Sequence, residues 1–193
     1  MLGIVGQGSK IAEEFVALCG EPWKGLRLSS DASECDRFLV CTGLLVGLPL
    51  RAMLPDRIAE TFARNFSDVA EWCDAVLATN PRARIVVIGS ESGFSGGYDM
   101  AYAGAKAALH LYVETKKLSP NQQLVAIAPG IIEDAGMTLR RIDHDTLVLK
   151  KAAHPMGRFC TSREVASLAE WLLGPDGGYV SGTVIRMNGG DRR

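Results

Sequence analysis

The sequence has no excess of charge, no long apolar run and no paired cysteines. Its 21 Lys and Arg balance 22 Asp and Glu to a formal net charge of −1, which leaves no electrostatic case for binding nucleic acid or an anionic membrane. No basic amphipathic helix or run of like charges stands out. No stretch approaches the roughly 20 apolar residues that span a bilayer. The segment MLGIVGQGSK (1–10) lacks a charged stretch followed by a long apolar one, so no signal peptide is expected. The five cysteines, Cys19, Cys35, Cys41, Cys73 and Cys160, form no CxxC pair. Odd in number and scattered, they point to reduced thiols in the cytoplasm rather than to a disulfide framework or a zinc site, and no metal is expected.

What is present is the composition of an ordinary globular protein, with 47% apolar and 22% charged residues over 193 positions. That length holds one good core, and residues 1–193 are expected to form a single domain. Short apolar runs alternate with longer helical patterns. LGIV (2–5), GLRL (25–28), FLVC (38–41), RIVVIG (84–89), LVAIA (124–128) and GTVIRM (182–187) read as strands. The fourth is the clearest, with four consecutive β-branched residues between a charge and a glycine. Helical patterns run from about Lys10 to Leu18, Asp56 to Ala78, Tyr98 to Leu118, and from Ser162 as cap to Leu173. Strands that are apolar throughout are buried on both faces. The alternation therefore predicts an α/β fold, a doubly wound and mostly parallel sheet with helices on both sides. Residues 131–158, with Gly136, Pro155 and Gly157, read as a long irregular loop of the kind that serves as a lid.

VGQGSKIAEEF (5–15) joins the first strand to the first helix. Gly6 and Gly8 permit a tight turn, after which the main-chain N–H groups of Ser9, Lys10 and Ile11 at the helix start can bind a phosphate. The third glycine of GxGxxG is missing, since Ile11 stands in its place, and the loop also reads as a plain strand-to-helix turn. A carboxylate that binds the ribose diol of a dinucleotide falls roughly 20 residues after such a loop. Asp31 stands near that distance, and equally reads as one polar residue among those of SSDASE (29–34).

Tyr102 and Lys106, in YAGAK, lie about one helical turn apart and share a face. A phenol with a pKa of about 10 is a poor acid–base group at neutral pH, and a nearby ammonium lowers that value. Alone, such a pair recurs by chance in helices. Here Ser90 ends the strongest strand, where open α/β sheets bind ligands, and the glycine-rich ESGFSGGYDMA (91–101) connects it to Tyr102. A serine there can hydrogen-bond a substrate carbonyl while Tyr102 exchanges the proton, with Ser92 as the lesser alternative.

With these residues assembled, the chain resembles the short-chain dehydrogenase/reductase family over nearly its whole length. IVVIGSESG (85–93) is similar to the strand that delivers the family's serine, and YAGAK matches its Tyr-x-x-x-Lys. VAIAPGII (125–132) is similar to the segment whose Pro-Gly precedes the nicotinamide. HPMGRFCTSREVASLAEWLLGPDGGYVSGTVIRMNGG (154–190) resembles the C-terminal region and is the longest and most specific match. In FLVCTGLL (38–45), Thr42-Gly43 stands for Ala-Gly, and ARNFSDV (63–69) resembles the helix bearing the catalytic asparagine, here Asn65.

The resemblance implies a Rossmann-like fold and a hydride-transferring, NAD(P)-dependent oxidoreductase acting on a small alcohol or ketone. It implies that Ser90 polarises the carbonyl and Tyr102 exchanges the proton. Lys106 would lower the Tyr102 pKa and hold the ribose hydroxyls, and the main chain of Asn65 would hold a water in a relay to the lysine. Thr42, Gly43, Pro129, Gly130 and Ile132 would join the glycine loop, Asp31, Tyr102 and Lys106 as cofactor contacts. A homodimer or homotetramer would form through the helices at about 57–78 and 98–118.

The departures fall on the cofactor half. Only SSDASECDR (29–37) stands where the family usually has a helix, a strand and another helix. The sheet is therefore expected to have six strands, lacking one strand and its flanking helices on the adenine side. Lys10 and Ala12 replace two glycines, and Lys10 either cradles phosphate or blocks it. Asp134 stands where a threonine commonly touches the carboxamide. Asp31 favours NAD, whereas Lys10 and Arg27 favour NADP, and the choice stays open. Two other functions also stay open: a cofactor-independent lyase or dehydratase using Tyr102, and a non-catalytic binding or assembly subunit.

Overall fold

The computed structural model describes residues 1–191. Six parallel strands form its sheet: β1 (Leu2–Val5), β2 (Trp23–Leu26), β3 (Arg37–Val40), β4 (Arg84–Ile88), β5 (Gln123–Pro129) and β6 (Thr183–Met187). They lie in the order β2-β1-β3-β4-β5-β6. Alternate residues of each strand serve opposite faces. Ile4, Leu39, Val86 and Ile127 pack under α1 (Lys10–Cys19) and α8 (Ser162–Leu173). Val5, Val40, Val87 and Ala126 pack under α3 (Asp68–Thr79) and α5 (Met100–Thr115). This is why the interior positions of β1, β3, β4 and β5 are apolar on both faces. Full burial of each large aliphatic side chain stabilises the fold by about 1.5–3 kcal/mol.

β2 reaches β3 through residues 27–36, with no helix between them. The segment crosses the α3 face of the sheet and is pinned there by Leu28, Ala32 and the buried Cys35. A strand and two helices are thus absent beyond β2, as the short loop predicts. β2 itself sits two residues earlier than its sequence pattern suggests. Leu28 continues the apolar run, yet it belongs to the crossover.

The long second helical pattern is continuous but not uniform. α2 (Pro55–Phe62) opens on a proline at its first turn, and a π-helical turn (Ala63–Ser67) joins it to α3. The next helices are the short α4 (Ser92–Ser95) and then α5, which starts at Met100 because the Asp99 carboxylate caps the N–H of Tyr102 at 2.9 Å. The expected irregular stretch 131–158 holds two helices, α6 (Gly136–Leu139) and α7 (His144–Ala153). α8 is capped by Thr161 rather than Ser162. The Thr161 hydroxyl accepts the N–H of Glu164, and the Glu164 carboxylate accepts the N–H of Thr161. Such a capping box is worth about 1 kcal/mol. Among the described residues no helix is long and apolar enough to cross a membrane. No group of three or more His, Cys, Asp or Glu side chains there could hold a metal ion.

Candidate active site

The glycine loop closes tightly against the exit of β3. Gly6 has φ +83°, and a Cβ on it would lie 2.8 Å from the main-chain carbon of Cys41, so both conformation and space require glycine. Gly8 faces open space. Ser9 caps the ten-residue α1 by accepting the N–H of Ala12 at 3.1 Å. The free N–H groups and positive dipole end of this helix can hold a phosphate. Ile11 contributes only main chain there, because its side chain is in the core. Lys10 does not obstruct the loop. Its ammonium is drawn back along the helix onto Glu13 and Glu14, at 3.2 and 3.3 Å.

Beside this loop, where the missing helix would pack, a groove of about 1390 Å³ runs along α3. Its walls include Gly6, Gly8, Arg27, Asp31, Thr42 and Trp72. Two buried polar atoms on these walls, Thr42 Oγ1 and Trp72 Nε1, have no hydrogen-bond partner among the described residues. Buried polar groups are normally satisfied, so both suit a polar ligand in the groove. The Asp31 carboxylate accepts the N–H and hydroxyl of Ser33, both at 2.9 Å. No ion pair engages Arg27 among the described residues. The NAD(P) phosphates and a ribose fit this helix terminus and groove.

One strand further along, Ser90 leaves β4 and Tyr102 and Lys106 rise from the first two turns of α5. The Ser90 hydroxyl accepts the N–H of Ser92 at 3.2 Å, which leaves its own proton free to be donated. Burial pushes the Tyr102 phenol above its usual 10, a rise opposed by a hydrogen bond with Ser90 and reinforced by the charge of Asp99. Lys106 is buried, and its Nζ donates to the Ile88 carbonyl at 2.7 Å. Burial lowers its pKa to about 8, with Cys41 opposing the shift. The ammonium lies 5.8 Å from the Tyr102 ring centroid. Lys106 is not among the groups that shift the phenol here; burial sets the direction.

Two buried polar side chains brace the chain between β3 and α2. Asn65, within the π-helical turn, accepts the N–H of Leu44 at 3.1 Å and donates to the carbonyls of Leu44 and Thr61, both at 2.8 Å. These bonds use its side-chain amide and do not draw on the main chain expected to hold the relay water. Gly43 stays small because a Cβ would come within 3.3 Å of Asn65 Oδ1. Asp99 accepts the N–H groups of Val46 and Gly47 at 3.2 and 2.9 Å, tying the same loop to the start of the Tyr102 helix. Across the sheet edge, the Pro129 carbonyl accepts the N–H of Glu91 at 2.8 Å, and the N–H of Gly130 bonds the Met187 carbonyl at 3.1 Å. Ile132 is buried and its main chain pairs with Cys160. The Asp134 carboxylate accepts the N–H of Ser162 at 2.8 Å and so ties this segment to α8.

Three residues at the site escape a reading by motif. Asp99 was discernible only as a possible helix cap three residues before Tyr102. His110 continues the Tyr102–Lys106 spacing by one more turn and is buried under Ser90. Cys41 lies beside Ser9 and Lys106, and burial pushes its thiol up to about 12, which leaves it an unreactive thiol.

Comparisons with known proteins identify the family and the fold. The family model described as enoyl-(acyl carrier protein) reductase matches residues 29–191. The rhamnolipids biosynthesis 3-oxoacyl-[acyl-carrier-protein] reductase of Pseudomonas aeruginosa is 38% identical over 120 residues, which is 58% of this chain and 46% of that protein. The acetoacetyl-CoA reductase of Cupriavidus necator is 27% identical over 175 residues, covering 85% of this chain and 69% of that one. The chain thus spans about half the length of the Pseudomonas relative. The solved short-chain dehydrogenase/reductase of Brucella melitensis superposes with a TM-score of 0.85 at 20% identity, covering 98% of this chain and 95% of the other. On the match over residues 29–191, the shared sheet and the Tyr-x-x-x-Lys helix beside the serine strand, the chain belongs to the short-chain dehydrogenase/reductase family.

Proposed function

We propose that this protein is an NAD(P)-dependent oxidoreductase that reduces a ketone to an alcohol. The observation that carries the reading is the convergence of Ser90, Tyr102 and Lys106 at the carboxyl end of β4, with only β3 between it and the strand that leads into the α1 N-terminus beside the polar groove. The reduced nicotinamide supplies the hydride. Ser90 donates to the substrate oxygen and Tyr102 protonates it as the alcohol forms. A phenol held above its usual pKa is fully protonated at neutral pH, as a proton donor must be. Lys106 stabilises the phenolate left behind and binds the ribose. Asn65 acts through its brace on Leu44, holding the β3 exit where the cofactor passes. The activities named for these two relatives support 3-oxoacyl thioesters as the substrate class, and acetoacetyl-CoA with NADPH is the assay that tests it. In that assay Ser90→Ala should lower kcat by about 10²–10³-fold with the Kd for NADPH unchanged. Wild-type turnover in Ser90→Ala would remove the serine from the mechanism.

Within this reading NADP is the favoured cofactor. Lys10 is engaged by two glutamates and Asp31 by Ser33, whereas Arg27, just past β2, lines the groove with a guanidinium that has no partner among the described residues. A charge-assisted bond from Arg27 to a 2′-phosphate is worth about 1.5–3 kcal/mol. NADPH should therefore bind about 10–100-fold tighter than NADH, and Arg27→Ala should erase that difference. Equal binding of the two by the wild-type protein would contradict the assignment. The exposed Leu54 before α2, Phe62 at its end and Leu111 on α5 support self-association into a dimer or tetramer, which sedimentation velocity tests.

A further inference from the structure

α5 carries Tyr102, Lys106 and His110 at successive four-residue intervals, so all three lie along one stripe. The first two belong to the mechanism proposed above. His110 is only 3% exposed, and a buried imidazole costs stability unless its nitrogens are bonded. Its Nε2 accepts the N–H of Ser90 at 3.4 Å, so the hydrogen of the neutral ring sits on Nδ1, which has no partner among the described residues. An aliphatic side chain would fill this space without that cost. Packing therefore does not account for an imidazole here.

The chain is shaped around the ring. A Cβ on Gly89 would lie 2.5 Å from His110 Nε2, and one on Gly93 would lie 2.5 Å from its Cε1. Both ends of the turn that presents Ser90 are thus glycines where the imidazole presses against them. Phe94 stacks on the ring with centroids 4.6 Å apart. The Arg186 guanidinium of β6 lies 4.6 Å from the Phe94 centroid and pairs with Glu91. Residues 89–94 are clamped from α5 by His110 and from β6 by Arg186.

We propose that His110 is a positioning residue that sets the main chain at Ser90, and through it the direction in which the serine hydroxyl meets the substrate oxygen. The inference rests on the role of Ser90 proposed above. A displacement of about 1 Å at such a group costs up to roughly 100-fold in rate. The test is steady-state kinetics of His110→Leu, His110→Gln, Ser90→Ala and the Ser90→Ala/His110→Leu double variant. His110→Leu should lower kcat by about 10–100-fold with the Kd for cofactor unchanged. His110→Gln, whose carbonyl can accept the Ser90 N–H, should recover most of that loss. In the Ser90→Ala background His110→Leu should cost nothing further, because its effect passes through the serine. A full multiplicative loss in the double variant, or wild-type turnover in His110→Leu, overturns the positioning role alone. Wild-type turnover in Ser90→Ala overturns the serine reading and this one with it. If His110→Leu does not fold, Phe94→Leu, which removes the exposed ring stacked on the imidazole, takes its place under the same two criteria.

Discussion

Tyr102→Phe is expected to lower kcat for ketone reduction by about 10³-fold or more, with the Kd for NADPH and the melting temperature unchanged. In the proposed mechanism the phenol hydroxyl delivers the proton to an oxygen that Ser90 polarises. Its removal leaves hydride transfer to form an alkoxide with no donor. The fold should not notice the change. The hydroxyl's influence among the described residues falls on Ser90, while the ring keeps its place on α5. Comparing kcat with cofactor affinity separates loss of chemistry from loss of binding. If Tyr102→Phe turns over at more than a tenth of the wild-type rate, the proton comes from elsewhere.

Lys106→Met should be nearly as severe in turnover, about 10²–10³-fold, and should also change how stability responds to pH. In the folded protein burial lowers the lysine pKa from 10.5 to about 8. Between pH 8 and 10.5 the unfolded chain therefore holds a proton that the folded protein has released, so this residue makes stability rise with pH across that window. Below pH 8 the buried ammonium costs about 3 kcal/mol relative to its exposed counterpart. The wild-type protein should accordingly gain stability between pH 8 and 10.5 in denaturant titrations relative to Lys106→Met. Parallel curves for the two proteins would place the lysine charge in a more solvated setting. The same pKa predicts that kcat/KM for reduction declines above pH 8, as the ammonium that stabilises the phenolate is lost.

The sheet could be read from the residues because its central strands pack on two faces and so carry no polar alternation to confuse the pattern. β4, with Ile85 and Val87 on one face and Val86 and Ile88 on the other, is the clearest example. β2 was the least legible: it is an edge strand with an exposed Trp23, and the apolar Leu28 beyond it draws the pattern downstream. The absence of a strand beyond β2 follows from loop length alone, but the groove that this absence opens depends on the path of residues 27–36, which no local pattern dictates. The question raised by Lys10 had its answer nearby, since Glu13 and Glu14 stand three and four residues on and draw the charge away from the loop. The Thr161 cap was likewise written as Thr-x-x-Glu. The π-helical turn at Asn65 had no such signal, because one widened turn leaves helical periodicity almost intact. Nor does sequence separate a histidine that fills a core from one that holds a catalytic turn. That distinction at His110 came from Gly89, Gly93 and the Ser90 N–H converging on one ring.

The most direct test of the account is whether a sheet shortened on its adenine side still binds the dinucleotide. Trp72 lines the groove and can report occupancy by its fluorescence. Titration with NADPH and NADH, checked by calorimetry, should give a micromolar Kd for NADPH and weaker binding of NADH. Absence of binding by either up to millimolar concentration would contradict the oxidoreductase reading. The Ser90–Tyr102–Lys106 cluster would then belong to a cofactor-independent enzyme or to an assembly subunit.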